Sequence, residues 1–124
     1  MKIYYRGSCA SSKKALEWFR SHDIEIEVVK IREITHKDLI HVLSLSDNGV
    51  FDIVKRSSGP VSDENIKNRE KINNMSFNEA LVYLKKHPAL LMTPIILEAD
   101  RCLIGFNSEQ IRQFFPIKYR KTLQ

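Results

Sequence analysis

Cysteine is scarce in this chain, with two in 124 residues, Cys9 and Cys102. A secreted scaffold of this size built on disulfides would carry more, so two distant cysteines read as free thiols. No cysteine and histidine cluster has the spacing of a zinc site. His22, His36, His41 and His87 are scattered and read as surface or helix-end residues, so neither a metal nor a cofactor is expected. No apolar run approaches the ~20 residues that span a bilayer. The opening residues, Met1 to Arg6, turn polar too soon for a signal peptide. The expectations are no membrane contact and a cytoplasmic address. Internal repeats, low-complexity segments and dividing linkers are also missing.

What is present suits one globular domain, residues 1–124, with a core that needs no disulfide staples. Apolar residues make up 43% and charged residues 28% of the chain, ordinary for a globular protein. The net charge is +5, which favours an acidic partner surface or nucleic acid only weakly. The densest basic run, Lys118, Arg120 and Lys121, reads as a solvated tail, with a weak or indirect DNA contact as the alternative.

Lys2 to Tyr5 reads as a strand, broken by Gly7 and Ser8. Ser11 or Ser12 is expected to cap a helix whose apolar stripe is Ala15, Leu16, Trp18 and Phe19, ending near His22. A second strand is expected over Ile24 to Ile31. Thr35 followed by Asp38 reads as a capping-box variant that opens a helix through Leu45. Gly49 then fits a left-handed helix stop. Val50 to Val54 reads as one or two helical turns, Ser57 to Pro60 as irregular, and Ile66 to Ile72 as a short helix. Ser76 with Glu79 is a second capping box, opening a helix that Pro88 ends. Ile95 to Leu97 and Cys102 to Gly105 form a hairpin around Ala99 to Arg101. Asn107 or Ser108 caps a last helix before Pro116. The order β-α-β, a helical insertion over about 35–90, then β-β-α, specifies an α/β fold with a mixed sheet.

The chemistry gathers at Cys9, where a strand hands over to a helix. Amides and the dipole at a helix N-terminus stabilise an anion. A thiol there has a lowered pKa, and Arg6, Lys13 and Lys14 add positive charge nearby. This favours a reactive thiol over a small buried hydrophobe. Three positions on stands Ser12, which can donate to a thiolate but cannot resolve a mixed disulfide. Cys102 would serve as a resolving thiol only if it lay close in space, and reads better as an ordinary strand residue.

Four segments, Ser8 to Ala15, Leu43 to Gly49, His87 to Leu97 and Gly105 to Pro116, together resemble the Spx and arsenate reductase family, whose fold is thioredoxin-like. The resemblance implies two different functions. Arsenate reductases pair a cysteine with a serine three positions later, as Cys9 and Ser12 would. They also hold the oxyanion with arginines, which bind it bidentately. This chain has Thr93 at one arginine position, Gly105-Phe106-Asn107 at another, and Arg56 near a third. That argues against arsenate reduction.

Spx proteins bind the carboxy-terminal domain of the RNA polymerase α subunit and redirect transcription under thiol stress. Gly105 to Glu109 looks like that branch, and Gly49 matches the glycine that Spx proteins set against the polymerase subunit. A glycine permits close backbone approach and a positive φ, although an ordinary helix stop would also account for it. Ser12 stands where typical Spx proteins have a second cysteine, so their dithiol switch is missing. Pro94 resembles the proline that is cis in thioredoxin-like folds and packs against the cysteine loop. The expectation is a monomeric Spx-like regulator in which Cys9 is a sensing or vestigial thiol and Gly49, with Leu39 to Leu45, meets the polymerase. The alternative is an arsenate-reductase-like or glutathione-linked thiol oxidoreductase using Cys9.

Overall fold

The computed structural model describes residues 1–55 and 63–116. Arg56, Ser57 to Pro60 and the basic tail from Lys118 lie outside the described residues. The chain divides into two compact units, one of Met1–Ile31 with Thr93–Gln124 and one of Arg32–Met92.

The first unit holds a four-stranded sheet in the order β2-β1-β3-β4. Its strands are β1 (Lys2–Tyr5), β2 (Glu27–Lys30), β3 (Ile95–Leu97) and β4 (Cys102–Ile104). β1 runs parallel to β2 and antiparallel to β3, and β3 runs antiparallel to β4. This is the mixed sheet expected from the element order. β3 is buried at all three residues, as an uninterrupted apolar run in an inner strand must be. Ile3, Ile96 and Leu103 are in register across three strands. They form one core with Ala15 and Phe19 of α1 (Ala10–Ser21) and with Ile111 and Phe114. Tyr4, Ile95 and Leu97 point to the opposite face and are also buried.

Four local expectations need correction. β2 is four residues long rather than eight, because it is an edge strand paired only with β1, whose four residues set the ladder. Ile24 and Ile26 instead pack as half-buried side chains against the core. β4 ends at Ile104, and Gly105, at φ +84°, turns the chain away. The last helix is a five-residue 3-10 segment, Gln110–Phe114. Asn107, not Ser108, is the anchor before it: its Oδ1 accepts from the amides of Glu109 and Gln110, both at 2.9 Å. At the other end of α1, Cys9 itself is the N-cap residue, so Ser11 and Ser12 lie inside the first turn.

The second unit carries α2 (His36–Ser44), α3 (Asp63–Asn73) and α4 (Phe77–Lys86). Both capping boxes form on the expected side: Thr35 Oγ1 accepts from Asp38 N at 3.0 Å and Ser76 Oγ from Glu79 N at 3.2 Å. Leu39, Val42 and Leu43 of α2 and Ala80, Leu81 and Leu84 of α4 are buried at helical spacing. An isolated bridge joins Val54 to Leu91. Pro88 does end α4: His87 leaves helical geometry and Pro88 opens a new 3-10 turn, because the residue before proline is pushed out of the α region. Thr35→Ala removes the acceptor for one orphan amide of α2 and is expected to cost about 1 kcal/mol of stability. A denaturant midpoint measured beside wild type checks it, and Thr35→Ser should recover most of the loss.

Candidate functional site around Cys9

The Cys9 loop is a turn followed at once by a helix. Cys9 N donates to Arg6 O at 3.1 Å, closing the turn, and Lys13 N donates to Cys9 O at 3.2 Å, opening α1. Cys9 itself is extended, at φ −92° and ψ 119°, the usual backbone of an N-cap. Its side chain makes no capping hydrogen bond and stays half-buried. Ser12 is fully buried, and its hydroxyl accepts from the Arg6 amide at 3.2 Å. That long-range acceptor role is why Ser12 is not the cap. The sequence could not reveal it, since it depends on how the turn folds back.

Opposite the loop stands the segment before β3. The Thr93–Pro94 peptide bond is cis, and the Cys9 thiol donates to the Thr93 carbonyl at 3.5 Å. The Pro94 carbonyl in turn accepts from Gly105 N at 2.8 Å, which ties this segment to the end of β4. Cys9, Ser12 and Pro94 are thus gathered in one unit, as was the neighbouring Thr93, which sequence reasoning counted only as a lost arginine. The signal available was its place directly before the proline expected to pack against the cysteine loop.

The Cys9 pKa falls to about 7. Burial alone pushes the thiol up, since a charge is costlier away from water. It is outweighed by hydrogen bonds to the anion from the Thr93 and Ser12 side chains and from the Ser12 and Ser11 backbone. The stabilising groups are therefore neutral dipoles rather than the cations the sequence suggested. Lys13 and Lys14 are exposed on α1.

Thr93 adds a second detail. It is 7% exposed, and its Oγ1 has no geometric hydrogen-bond partner among the described residues, yet it figures among the groups that lower Cys9. The contact the geometry shows between the two residues is the one from the thiol to the Thr93 carbonyl.

Cys102 is not positioned to resolve a disulfide at Cys9. It pairs with Leu97, at the far end of β3 from Thr93. β3 and the cis peptide before it thus stand between the two thiols, whereas a disulfide needs Cα atoms within about 7 Å. Neither cysteine is in a disulfide. Among the described residues there is no cluster fit to hold a metal ion, and no helix is long and apolar enough to cross a membrane.

Gly49 belongs to the other unit. It does not stop α2, as the sequence suggested. Leu45 closes that helix in right-handed geometry, its amide bonded to Val42 O. Gly49, at φ +69°, instead opens a 3-10 turn, Gly49–Asp52. Asp52 closes this turn by accepting from Asn48 N at 3.0 Å and Asn48 Nδ2 at 3.3 Å. A Cβ at position 49 would meet no atom within 4 Å outside its chain neighbours, so the backbone is bare on that side.

A family model for the ArsC family matches residues 4–114. The global transcriptional regulator Spx of Streptococcus pneumoniae is 36% identical over 121 residues, which covers 96% of this chain and 88% of that protein. Spx 2 of Bacillus cereus is 35% identical over 123 residues, covering 98% and 91%. Among solved structures, an arsenate reductase from Vibrio cholerae superposes with TM-score 0.74 at 19% identity, covering 93% of this chain and 98% of that one. An ArsC family related protein from Bacteroides fragilis gives 0.73 at 22%, covering 90% and 96%. At such identities the structural matches establish the fold, which is thioredoxin-like and α/β. The near full-length matches of sequence establish the lineage: the chain belongs to the ArsC family and resembles its Spx members along almost its whole length.

Proposed function

We propose that this protein is an Spx-like transcriptional regulator of the cytoplasm, a monomer that binds the carboxy-terminal domain of the RNA polymerase α subunit and acts under thiol stress. The observation that carries the binding surface is Gly49: a left-handed backbone with open space where a side chain would stand. A partner's backbone can approach such a point closely. Of the preceding helix, Leu39, Val42 and Leu43 face the core, and Ile40, 41% exposed, and Ser44 one turn on are left at the surface. An exposed isoleucine and a bare glycine in the same unit suit a small apolar contact rimmed by polar groups. The resemblance to Spx regulators over 96% of the chain supports the same reading.

A thiol oxidoreductase is the second reading, favoured by the lowered Cys9 pKa. It is weakened by Thr93, a neutral residue beside the sulfur where arsenate reductases place an arginine. Cysteine-dependent arsenate turnover with glutathione and glutaredoxin would move the assignment to that reading.

Gly49→Arg tests the regulator directly. The new Cβ meets no atom within 4 Å, the left-handed backbone costs about 1–2 kcal/mol, and the protein should stay folded. Capture of the purified α-subunit domain should fall at least tenfold relative to wild type. Equal capture by both proteins, or none by wild type, overturns the proposal.

A further inference from the structure

We propose that Arg69 of α3 is a positioning residue for the Gly49 surface: its guanidinium lies on the Phe51 ring and braces the turn in which Gly49 sits. The turn Gly49–Asp52 contributes no buried residue, and a 3-10 segment this short is poorly held by its own hydrogen bonds. Its exit is anchored, since Ile53 and Val54 are buried. Its entry is not, since Asp47 and Asn48 are exposed. Between them, the half-buried Phe51 takes the Arg69 guanidinium over its face, 5.1 Å from the ring centroid. A planar guanidinium stacks well on an aromatic ring and keeps its charge at any physiological pH.

The brace continues on both sides of this contact. Asp52, next to Phe51, reaches back to accept from the amide and the side chain of Asn48, the residue that leads into the left-handed Gly49. Fixing Phe51 therefore fixes Asp52, and Asp52 fixes the entry to Gly49. On the far side, α3 is anchored by the buried Ile72 and by Lys71, whose Nζ stands 4.8 Å from the ring centroid of Tyr83 in α4. A surface held in one form before docking binds more tightly, because less freedom is lost on contact. Arg69 does this without touching the partner. Its value to a partner rests on the reading of Gly49 given above, whereas the brace itself belongs to the free protein.

Amide hydrogen exchange in the free, full-length protein reads the brace. The Asn48 amide, bonded to Asp52, and the Ile53 amide, bonded to Val50 O at 3.1 Å, report opening of the turn. Arg69→Gln and Phe51→Leu should each speed their exchange about two- to fivefold, while the amides of α2 keep their wild-type rates. Phe51→Tyr, which keeps the ring, should match wild type. The double variant Arg69→Gln with Phe51→Leu should exchange no faster than either single one. Unchanged exchange in Arg69→Gln, an equal acceleration throughout α2, a Phe51→Tyr effect as large as that of Phe51→Leu, or additive effects in the double variant overturns the brace. Capture of the α-subunit domain should fall by a similar factor in Arg69→Gln. Full capture by that variant with its turn opened overturns the positioning role. No capture by wild type overturns the polymerase reading instead, and the exchange rates still decide the brace.

Discussion

Phe19→Ala is expected to lower the free energy of unfolding by about 3–5 kcal/mol. Phe19 is 1% exposed and is the side chain by which α1 grips the sheet. Its ring meets Trp18 edge-on, with centroids 5.0 Å apart, and stands 6.2 Å from Phe114. Around it lie Ile3 of β1, Ile96 of β3 and Leu103 of β4. Truncation forfeits the buried ring and leaves a cavity among strands that cannot collapse without losing their register. Small domains hold only about 5–15 kcal/mol in total, so this one change removes a large share. Urea unfolding followed by far-ultraviolet circular dichroism gives the number, free of any direct effect on Trp18 emission. A loss under ~1 kcal/mol would mean that α1 is not held by this core. Because Cys9 is the N-cap of α1, a loosened α1 should also let the Cys9 alkylation midpoint drift toward the free-cysteine value of ~8.5.

How far the sequence reaches can be judged from these same residues. β1 and β3 are legible to the residue, since each is a short apolar run bounded by polar or breaker residues. Both capping boxes are legible because donor and acceptor are three residues apart and need nothing else. The start of α1 is misread. The sequence offers Ser11 or Ser12 for the cap, yet Cys9 takes that position, and the Ser12 hydroxyl is drawn inward by the Arg6 amide. Gly49 is read correctly as left-handed but wrongly as a helix stop, because Leu45 already ends α2 by right-handed bonding. The site is half legible. Strand, cysteine and helix predict an activated thiol from local order alone. Its strongest stabiliser, Thr93, is 84 residues away along the chain and enters only when β3 is laid beside β1. The cations that sequence proximity offered are not the groups that hold the anion.

Ser12→Cys is expected to change the product of oxidation altogether. In wild type position 12 is a serine, which cannot displace a small thiol from an adduct on Cys9. Positions 9 and 12 lie on the first turn of α1, and residues three apart on a helix bring their Cβ atoms to about 5–6 Å. Modest adjustment of one turn brings them to the ~4 Å that a disulfide requires. The introduced thiol should attack the mixed disulfide at the Cys9 sulfur, form an intramolecular bond and expel the small thiol. After treatment with oxidised glutathione, wild type should therefore carry a glutathionyl group and lose one free thiol. The variant should carry none, lose two free thiols and be lighter by two hydrogens. The reduced variant should also be less stable than wild type by about 1 kcal/mol, because a thiol is a poor substitute for the hydroxyl that accepts from the Arg6 amide. The new disulfide returns little of this, since it closes a very short loop. A stable glutathione adduct on the variant would show that the first turn of α1 does not bring the two positions together. Clean closure would mean that a single hydroxyl-for-thiol difference, at a fully buried position, separates a one-thiol site from a two-thiol switch.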